Sequence, residues 1–417
     1  MKMKKKIDEM SKEEQYREYL KAHSNSDALN AERKYLRDQE KRRVERSRYE
    51  LNNKRRKKYR KNNPENNRIE NNRAEKNSNF GFKRKIRRFF LIILVILISL
   101  AGIFFSLTKN FDRKDIGNRD YGINKVSERE LKNYRNILIL GSDARRTEGY
   151  DGSRTDAIVI LSINKKNGDM KLISLMRDSY LSMRDYGDEG YVLSKATHAH
   201  AYGGAMNTVS MINRNLDLNI REYMLFNWQA VSDMVDALGG IDIEVTENEI
   251  EDINHYGRET AANVGSEFTE ITSAGKQTLT GVQAATYCRI RKNSGGDVSR
   301  GDRYKKVIQA VIAKGIKNPI ALNKASKEVF PNVRTNMSNG RMATLGIMLG
   351  RSKSKGSISW PNDYYGGLLS DGLWYAVPTT LESNVEWLYD KAFGISDHVP
   401  SKICREISQE ISSSYSQ

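Results

Sequence analysis

The sequence predicts an α/β protein: a three-layer α-β-α domain with a central mixed sheet, preceded by one transmembrane helix and a disordered basic N-terminal tail. Three observations lead there. A run of 19 uncharged residues, Phe89 to Leu107, interrupts an otherwise polar chain. Downstream of it, apolar runs of strand length alternate with longer stretches whose apolar residues recur at helical spacing. Upstream of it lies almost all of the excess positive charge.

The tail comes first. Residues 1–88 hold 30 Lys or Arg against 14 Asp or Glu, so +16 of the formal +18 sits there, and the remainder carries 40 against 38. Few apolar residues and runs such as Asn52-Asn53-Lys54-Arg55-Arg56-Lys57-Lys58 leave it no core to bury, which predicts a disordered or transiently helical low-complexity segment. Basic residues near anionic lipid contribute about 1 kcal/mol each. The cell membrane is therefore the tail's expected partner, with nucleic acid as the alternative. The near-neutral remainder argues against a broad nucleic-acid face on the folded part.

As a helix, Phe89 to Leu107 measures ~28 Å at ~1.5 Å per residue, close to the ~30 Å hydrocarbon core of a bilayer. A buried core helix would show a polar face, and this run has none. Lys83, Arg84, Lys85, Arg87 and Arg88 precede it, whereas Lys109, Arg113 and Lys114 follow among Asp112 and Asp115. The positive-inside bias then puts the N-terminus in the cytoplasm and the rest outside. The stretch before it is too long for a cleaved signal, so the expectation is a signal-anchor on a single-pass protein of the cell membrane. The expected organisation is a cytoplasmic tail over 1–88, a transmembrane helix over 89–107, a linker over 108–130, an extracellular domain over 131–400 and a C-terminal tail over 401–417. The Ser-rich end from about 407 reads as loose.

Within the exterior domain, Asn136 to Leu140 is a continuous apolar strand ending at Gly141-Ser142-Asp143. Ala157 to Ile163 and Met170 to Leu175 are two more strands, joined across Asn167-Gly168, a dipeptide that favours the primed turn of an antiparallel hairpin. Helical patterns follow over 203–216, 227–238 and 301–315, and the second stops at Gly239-Gly240 as a left-handed cap would stop it. Ile241 to Val245 alternates like a strand with one wet face. A mixed sheet with helices on both faces accommodates this order. Segments 206–215 and 224–238, with Met206, Met211, Met224 and Met234, read either as the lining of an adaptable apolar slot or as ordinary core.

Two cysteines set no disulfide framework, and Cys288 reads as a small core residue. His198 and His200 are the one close histidine pair, without Cys or carboxylates at ligand spacing, so zinc is not expected. The signatures of serine hydrolases and of nucleotide-binding loops are missing.

The chemistry concentrates in two places. Arg289-Ile290-Arg291 reads as extended, with the two arginines on one face. Asp297 follows, then Arg300 and Arg303 three apart at the start of a helix, able to project together. Guanidinium forks near a helix N-terminus favour phosphate oxygens; a surface arginine network paired with Asp297 and Asp302 is an equally available reading. The second place is the set of strand ends. Asp143 follows the first strand, Arg154-x-Asp156 opens the second and Arg177-Asp178 follows the third. The hairpin should bring Arg154, Asp156, Arg177 and Asp178 to one edge. There Asp143 and Asp156 either share a hard divalent cation such as magnesium or pair with arginines to pin the loops.

Taken in order, Asn136 to Arg145, Arg154-Thr155-Asp156, Ser174 to Asp178, Lys195 to Gly204, Asp236 to Ile241 and Arg289 to Arg303 resemble the successive motifs of the LytR-CpsA-Psr family. The resemblance covers about residues 130–315 and implies a membrane-anchored cell wall enzyme of Gram-positive bacteria. Such an enzyme transfers a glycopolymer, teichoic acid or capsule, from a polyprenyl-diphosphate carrier to peptidoglycan. It further implies that Arg154, Arg177, Arg289, Arg291 and Arg300, with Arg303 beside them, bind the diphosphate. Asp143 and Asp156 would hold magnesium, and Asp297 would help activate the acceptor hydroxyl. Three positions depart from the family pattern: Met176 stands for a proline, Thr197 for an asparagine and Tyr304 for a glutamine. A polyprenyl-diphosphate hydrolase on the same site, or a membrane-bound regulator or scaffold working through the basic tail, are the alternatives.

Overall fold

The computed structural model describes residues 28–61, 109–114, 120–145, 149–185, 187, 190–291 and 296–415. The apolar run 89–107 and most of the tail lie outside the described residues. Among the described residues no helix is long and apolar enough to cross a membrane. The chain divides into two compact units, Met1–Ile98 and Ser99–Gln417.

In the first unit Ala28–Lys61 forms a single helix of 34 residues. The expectation here was a disordered or transiently helical tail, and the helix has a local cause. Ala, Leu, Glu, Lys and Arg fill most positions, and all are strong helix formers. The expected lack of a buried face holds, since Leu36, Val44, Tyr49, Leu51 and Tyr59 are all exposed.

The second unit is built on strands β1 (Asp112–Arg113), β2 (Tyr134–Ser142), β3 (Thr155–Asn164), β4 (Asp169–Leu175), β5 (Tyr180–Arg184), β6 (Tyr191–Lys195), β7 (Glu222–Phe226), β8 (Ile241–Val245), β9 (Gly275–Leu279), β10 (Arg334–Thr335), β11 (Lys353–Trp360), β12 (Tyr364–Leu368) and β13 (Trp374–Pro378). Seven of them make one mixed sheet in the order β1-β10-β7-β2-β3-β4-β11. β2 runs parallel to β7 and β4 parallel to β11, while β2-β3 and β3-β4 are antiparallel. The Asn167-Gly168 hairpin is as expected, with Gly168 at φ 76°. Ile241 to Val245 is a strand, but it pairs with β9 in a separate ribbon and not with the main sheet.

Alternation along the strands separates two cores. Leu138, Leu140, Ile158, Ile160, Ile173 and Leu175 face one side, where helices His198–Leu216, Leu381–Leu388 and Lys402–Tyr415 add Val209, Ile212, Val385 and Ile407. Ile137, Val159, Leu161, Ile163 and Leu172 face the other, under helices that include Trp228–Ala237, Glu247–Val264, Gly281–Arg289 and Gly296–Lys317. Cys288 is buried in this second core, as expected. The helix over 227–238 ends with Gly239 and Gly240 both at positive φ.

Two expectations need correction. Met206 and Met211 belong to the first core, whereas Met224 and Met234 pack against the second, so the sheet divides the four and they cannot line one slot. The C-terminal stretch is not loose: Lys402–Tyr415 is helical and buries Cys404, Ile407 and Ile411. Its spacing of three and four residues is that of an apolar helix face, diluted in the sequence by the serines around it.

Candidate active site

The strand ends meet at one corner of the sheet. Register pairing of Ile158 with Leu175 carries Asp156 alongside Arg177, whose Nη1 is 2.6 Å from Asp156 Oδ1. The same guanidinium reaches Asp178 at 3.3 Å, and Lys195 Nζ holds the other Asp178 oxygen at 3.1 Å. After β2 the chain turns so that Asp143 and Arg154 exchange two bonds. The Arg154 amide donates to Asp143 Oδ1 at 2.9 Å, and the Asp143 amide donates to the Arg154 carbonyl at 3.1 Å. Burial pushes the Asp143 carboxyl above the usual carboxylate range; the Arg154 amide opposes that, and the negative charge of Asp156 reinforces it.

The distal arginines arrive on two helices. Arg289 ends helix Gly281–Arg289, whose start is fixed by the reciprocal bonds of Thr280 and Gln283. Arg289 is still helical and Ile290 after it is extended, so the expected strand alternation of the two arginines does not apply. Both arginines nevertheless reach the same cavity, of about 500 Å³, together with Asp143, Asp156, Arg300 and Tyr304. Helix Gly296–Lys317 comes close over β4 because residue 301 is glycine; a Cβ there would lie 3.0 Å from Ser174 Oγ. From this helix Arg300, 3% exposed, brings Nη1 within 3.9 Å of Asp156 Oδ2, and Arg291 Nη2 stands at the same distance. One carboxylate thus has three guanidinium groups around it. That leaves a local excess of positive charge around a half-buried carboxylate, where charges interact more strongly than in bulk water.

Arg303 is the exception. It does not project with Arg300 but turns under the chain, donating to Glu249 Oε1 and to the Ile290 carbonyl, both at 2.9 Å. At 2% exposure it is a buried structural pair beside a separate polar cavity, not part of the anionic one. Asp297 is placed on helix Gly296–Lys317, but its side chain lies outside the described residues.

Other residues emerge that spacing alone did not mark. Arg289 donates to Glu259 Oε1 and Thr260 Oγ1, each at 2.8 Å, and lies 5.9 Å from the Trp228 ring. That bond to Arg289 holds the Glu259 carboxyl below its ordinary range. Arg145, two residues past Asp143, lines the cavity, and so does Trp228. Tyr304 is buried in the wall, 5.8 Å from the Arg300 guanidinium, and its hydroxyl has no hydrogen-bond partner among the described residues. Burial, and then the Asp156 charge, keep that hydroxyl protonated well beyond the usual phenol range. His200 is buried with Nδ1 2.8 Å from the Ser153 carbonyl, and His198 Nδ1 faces Ser194 Oγ at 2.9 Å. Among the described residues no cluster of three or more His, Cys, Asp or Glu is placed to hold an ion.

A family model described as the LytR_cpsA_psr family matches residues 103–386. The chain belongs to the LytR-CpsA-Psr family. Among its curated relatives, the polyisoprenyl-teichoic acid–peptidoglycan teichoic acid transferase TagU of Bacillus cereus is 30% identical over 305 residues, covering 70% of this chain and 92% of that protein. The corresponding transferase TagT of Bacillus subtilis is 33% identical over 180 residues, 43% of this chain and 52% of that one. Among solved structures, protein gbs0355 of Streptococcus agalactiae shares the fold with TM-score 0.54 at 24% identity, over 67% of this chain and 93% of that one. The motifs of this LytR-CpsA-Psr chain therefore sit on the family's sheet, with six of its arginines and aspartates around one cavity and Arg303 turned away.

Proposed function

We propose that this protein transfers a glycopolymer, of the teichoic acid or capsule kind, from a polyprenyl-diphosphate carrier to a hydroxyl of peptidoglycan. The observation that carries the reading is the convergence of Arg177, Arg291 and Arg300 on Asp156 beside a cavity also lined by Arg289 and Asp143. A diphosphate bears about two to three negative charges, and phosphoryl transfer through a loose transition state is catalysed mainly by positioning and charge stabilisation. The family relatives named for this reaction support the assignment.

In this reading Arg177, Arg289, Arg291 and Arg300 bind the diphosphate oxygens, and the exposed Arg154, whose backbone is bonded to Asp143, adds its charge. The acceptor hydroxyl attacks the sugar-bound phosphorus, the bond from that phosphorus to polyprenyl phosphate breaks, and Asp297 takes the hydroxyl proton. Asp143 and Asp156 offer hard oxygen donors close enough to repel each other. That is the donor set of a magnesium site completed by water and substrate phosphate. When bound there, magnesium supplies charge neutralisation of the diphosphate. We further infer that residues 89–107 anchor the protein in the cell membrane with the catalytic domain outside, where the lipid carrier and the wall are both within reach.

The test uses full-length protein in detergent micelles with magnesium, a glycan-bearing polyprenyl diphosphate and soluble peptidoglycan oligosaccharide. Covalent transfer to the oligosaccharide, absent in Arg291→Ala, is the expected result. Release of polyprenyl phosphate at the same rate without any acceptor would replace transfer with hydrolysis.

A further inference from the structure

Behind Arg177 lies a line of charges whose last member has no task in the proposed reaction. That member is Lys195, at the end of β6, with a side chain 15% exposed. Lys195 Nζ holds Asp178 Oδ1 at 3.1 Å, and Arg177 Nε donates to Asp178 Oδ2 at 3.3 Å. Arg177 Nη1 in turn donates to Asp156 Oδ1 at 2.6 Å. Asp156 lines the anionic cavity, and Lys195 is three contacts removed from it.

The backbone around this line is fixed by its neighbours. The Thr197 amide donates to the Arg177 carbonyl, the Ala196 amide to the Ser179 carbonyl and the Ala376 amide to the Asp178 carbonyl, each at 2.9 Å. The Met176 amide donates to the Trp360 carbonyl at 2.8 Å. What stays adjustable is the direction of the side chains. Lys195 is itself aimed: its register partner across the β5-β6 hairpin is Tyr180, and its ammonium lies 5.2 Å over the ring of Tyr375. Those two rings meet edge to face with centroids 5.0 Å apart, an aromatic wall that favours a cation beside it.

Arg177 stands between two carboxylates and can serve the substrate only if neither takes the whole of its charge. The Asp178 side chain is 8% exposed, so its attraction is weakly screened by water. Without Lys195 it would have Arg177 as its one cationic contact among the described residues, and the guanidinium would turn towards it and away from Asp156. With Lys195 present, two cations and two carboxylates balance along the line. Arg291 and Arg300, each 3.9 Å from Asp156, then remain in excess for an anionic substrate. We propose that Lys195 is a positioning residue for the transfer: by compensating Asp178 it keeps the Arg177 fork extended to Asp156, where it can meet a phosphate oxygen. The proposal rests on the transfer reading and adds to it a residue that touches neither substrate.

Full-length protein in micelles tests this with Lys195→Met, Asp178→Asn and the double variant, read by farnesyl diphosphate binding and by transfer kinetics. Lys195→Met should lower both diphosphate affinity and kcat tenfold or more, because Asp178 then draws Arg177 aside. Removing that carboxylate as well should return part of the loss, so the double variant should exceed Lys195→Met at least threefold in both measures. A lysine that touched the diphosphate itself, or served only as a strut, would give a double variant no better than Lys195→Met, and that result would overturn the positioning role. Thermal melts without ligand give a second reading. The Tm losses of Lys195→Met and Asp156→Asn should fall short of adding when combined, since one network joins two residues that make no direct contact. Simple addition would break the line between them. Wild-type protein that fails to bind farnesyl diphosphate would instead overturn the diphosphate reading, while the melts still decide whether Lys195 governs Arg177.

Discussion

The imidazole of His398 lies flat against the ring of Tyr389, with centroids 3.4 Å apart and planes inclined by 9°. This pair closes a buried cluster. His398 Nδ1 is 2.7 Å from Glu130 Oε2, and Nε2 is 3.6 Å from Asp217 Oδ2. The second distance is too long for a hydrogen bond, so Asp217 acts there by its charge. Asp217 itself accepts bonds from Asn124 and from both the amide and the hydroxyl of Ser401.

Stability should therefore depend on the charge of His398. Burial alone would lower its pKa, but Asp217 and Glu130 outweigh burial and raise it above 6.5. A raised folded value gives stabilisation that is complete below the unfolded value and is lost as pH rises through the folded one. Thermal melts between pH 5.5 and 8.5 should show a Tm that falls with pH, and the slope should flatten in His398→Gln. Equal slopes in the two proteins would refute this coupling. His398→Ala should in addition lower stability by on the order of 3 kcal/mol, because Asp217 and Glu130 lose the cation between them.

Arg300 and Arg303, three residues apart on one helix, should behave in opposite ways. Arg300→Ala removes a guanidinium from the anionic cavity and should weaken diphosphate binding strongly with a small change in Tm. Arg303→Ala strands Glu249 and the Ile290 carbonyl and should cost about 3–5 kcal/mol of stability. Denaturant titration beside ligand binding on both variants checks it, and similar profiles would contradict the separation.

Arg177 bridges Asp156 and Asp178, a task for a planar fork and not for an ammonium group. Arg177→Lys should then lose nearly as much transfer activity as Arg177→Ala, roughly 100-fold or more by comparison with other electrostatic contacts in transition states. Activity above a tenth of wild type in the lysine variant would assign Arg177 a lesser part.

Magnesium should tighten diphosphate binding, and chelation should remove that gain. Asp143→Asn should abolish the magnesium dependence while leaving measurable affinity through the arginines. Because burial and the neighbouring Asp156 charge raise the Asp143 carboxyl above the usual carboxylate range, the magnesium dependence should fade on acidification before the pH reaches that ordinary range. A magnesium effect that survives in Asp143→Asn would place the ion elsewhere.

The sequence made the sheet legible through continuous runs such as Ile137 to Leu140 and through the Asn167-Gly168 turn, both of which are local signals. It made the corner of Asp156 and Arg177 legible because a hairpin has only one way to bring those ends together. Arg303 was misplaced because three-residue spacing fixes a helix face only within tens of degrees, and a buried Glu249 more than fifty positions away decides which way the side chain turns. The Glu259 and Thr260 partners of Arg289 were invisible for the same reason. The final helix was missed because serines dilute its apolar spacing, whereas in the tail local propensity left helix open as a reading and the shortage of apolar residues left its extent unmarked.

The helix Lys402–Tyr415 places Cys404, Ile407 and Ile411 over the same core as Leu138 and Leu216. Its burial makes it the third cover of that face, beside His198–Leu216 and Leu381–Leu388. Truncation near residue 400 would bare the part of the core under this helix, and the product should be more sensitive to protease than a merely shortened enzyme.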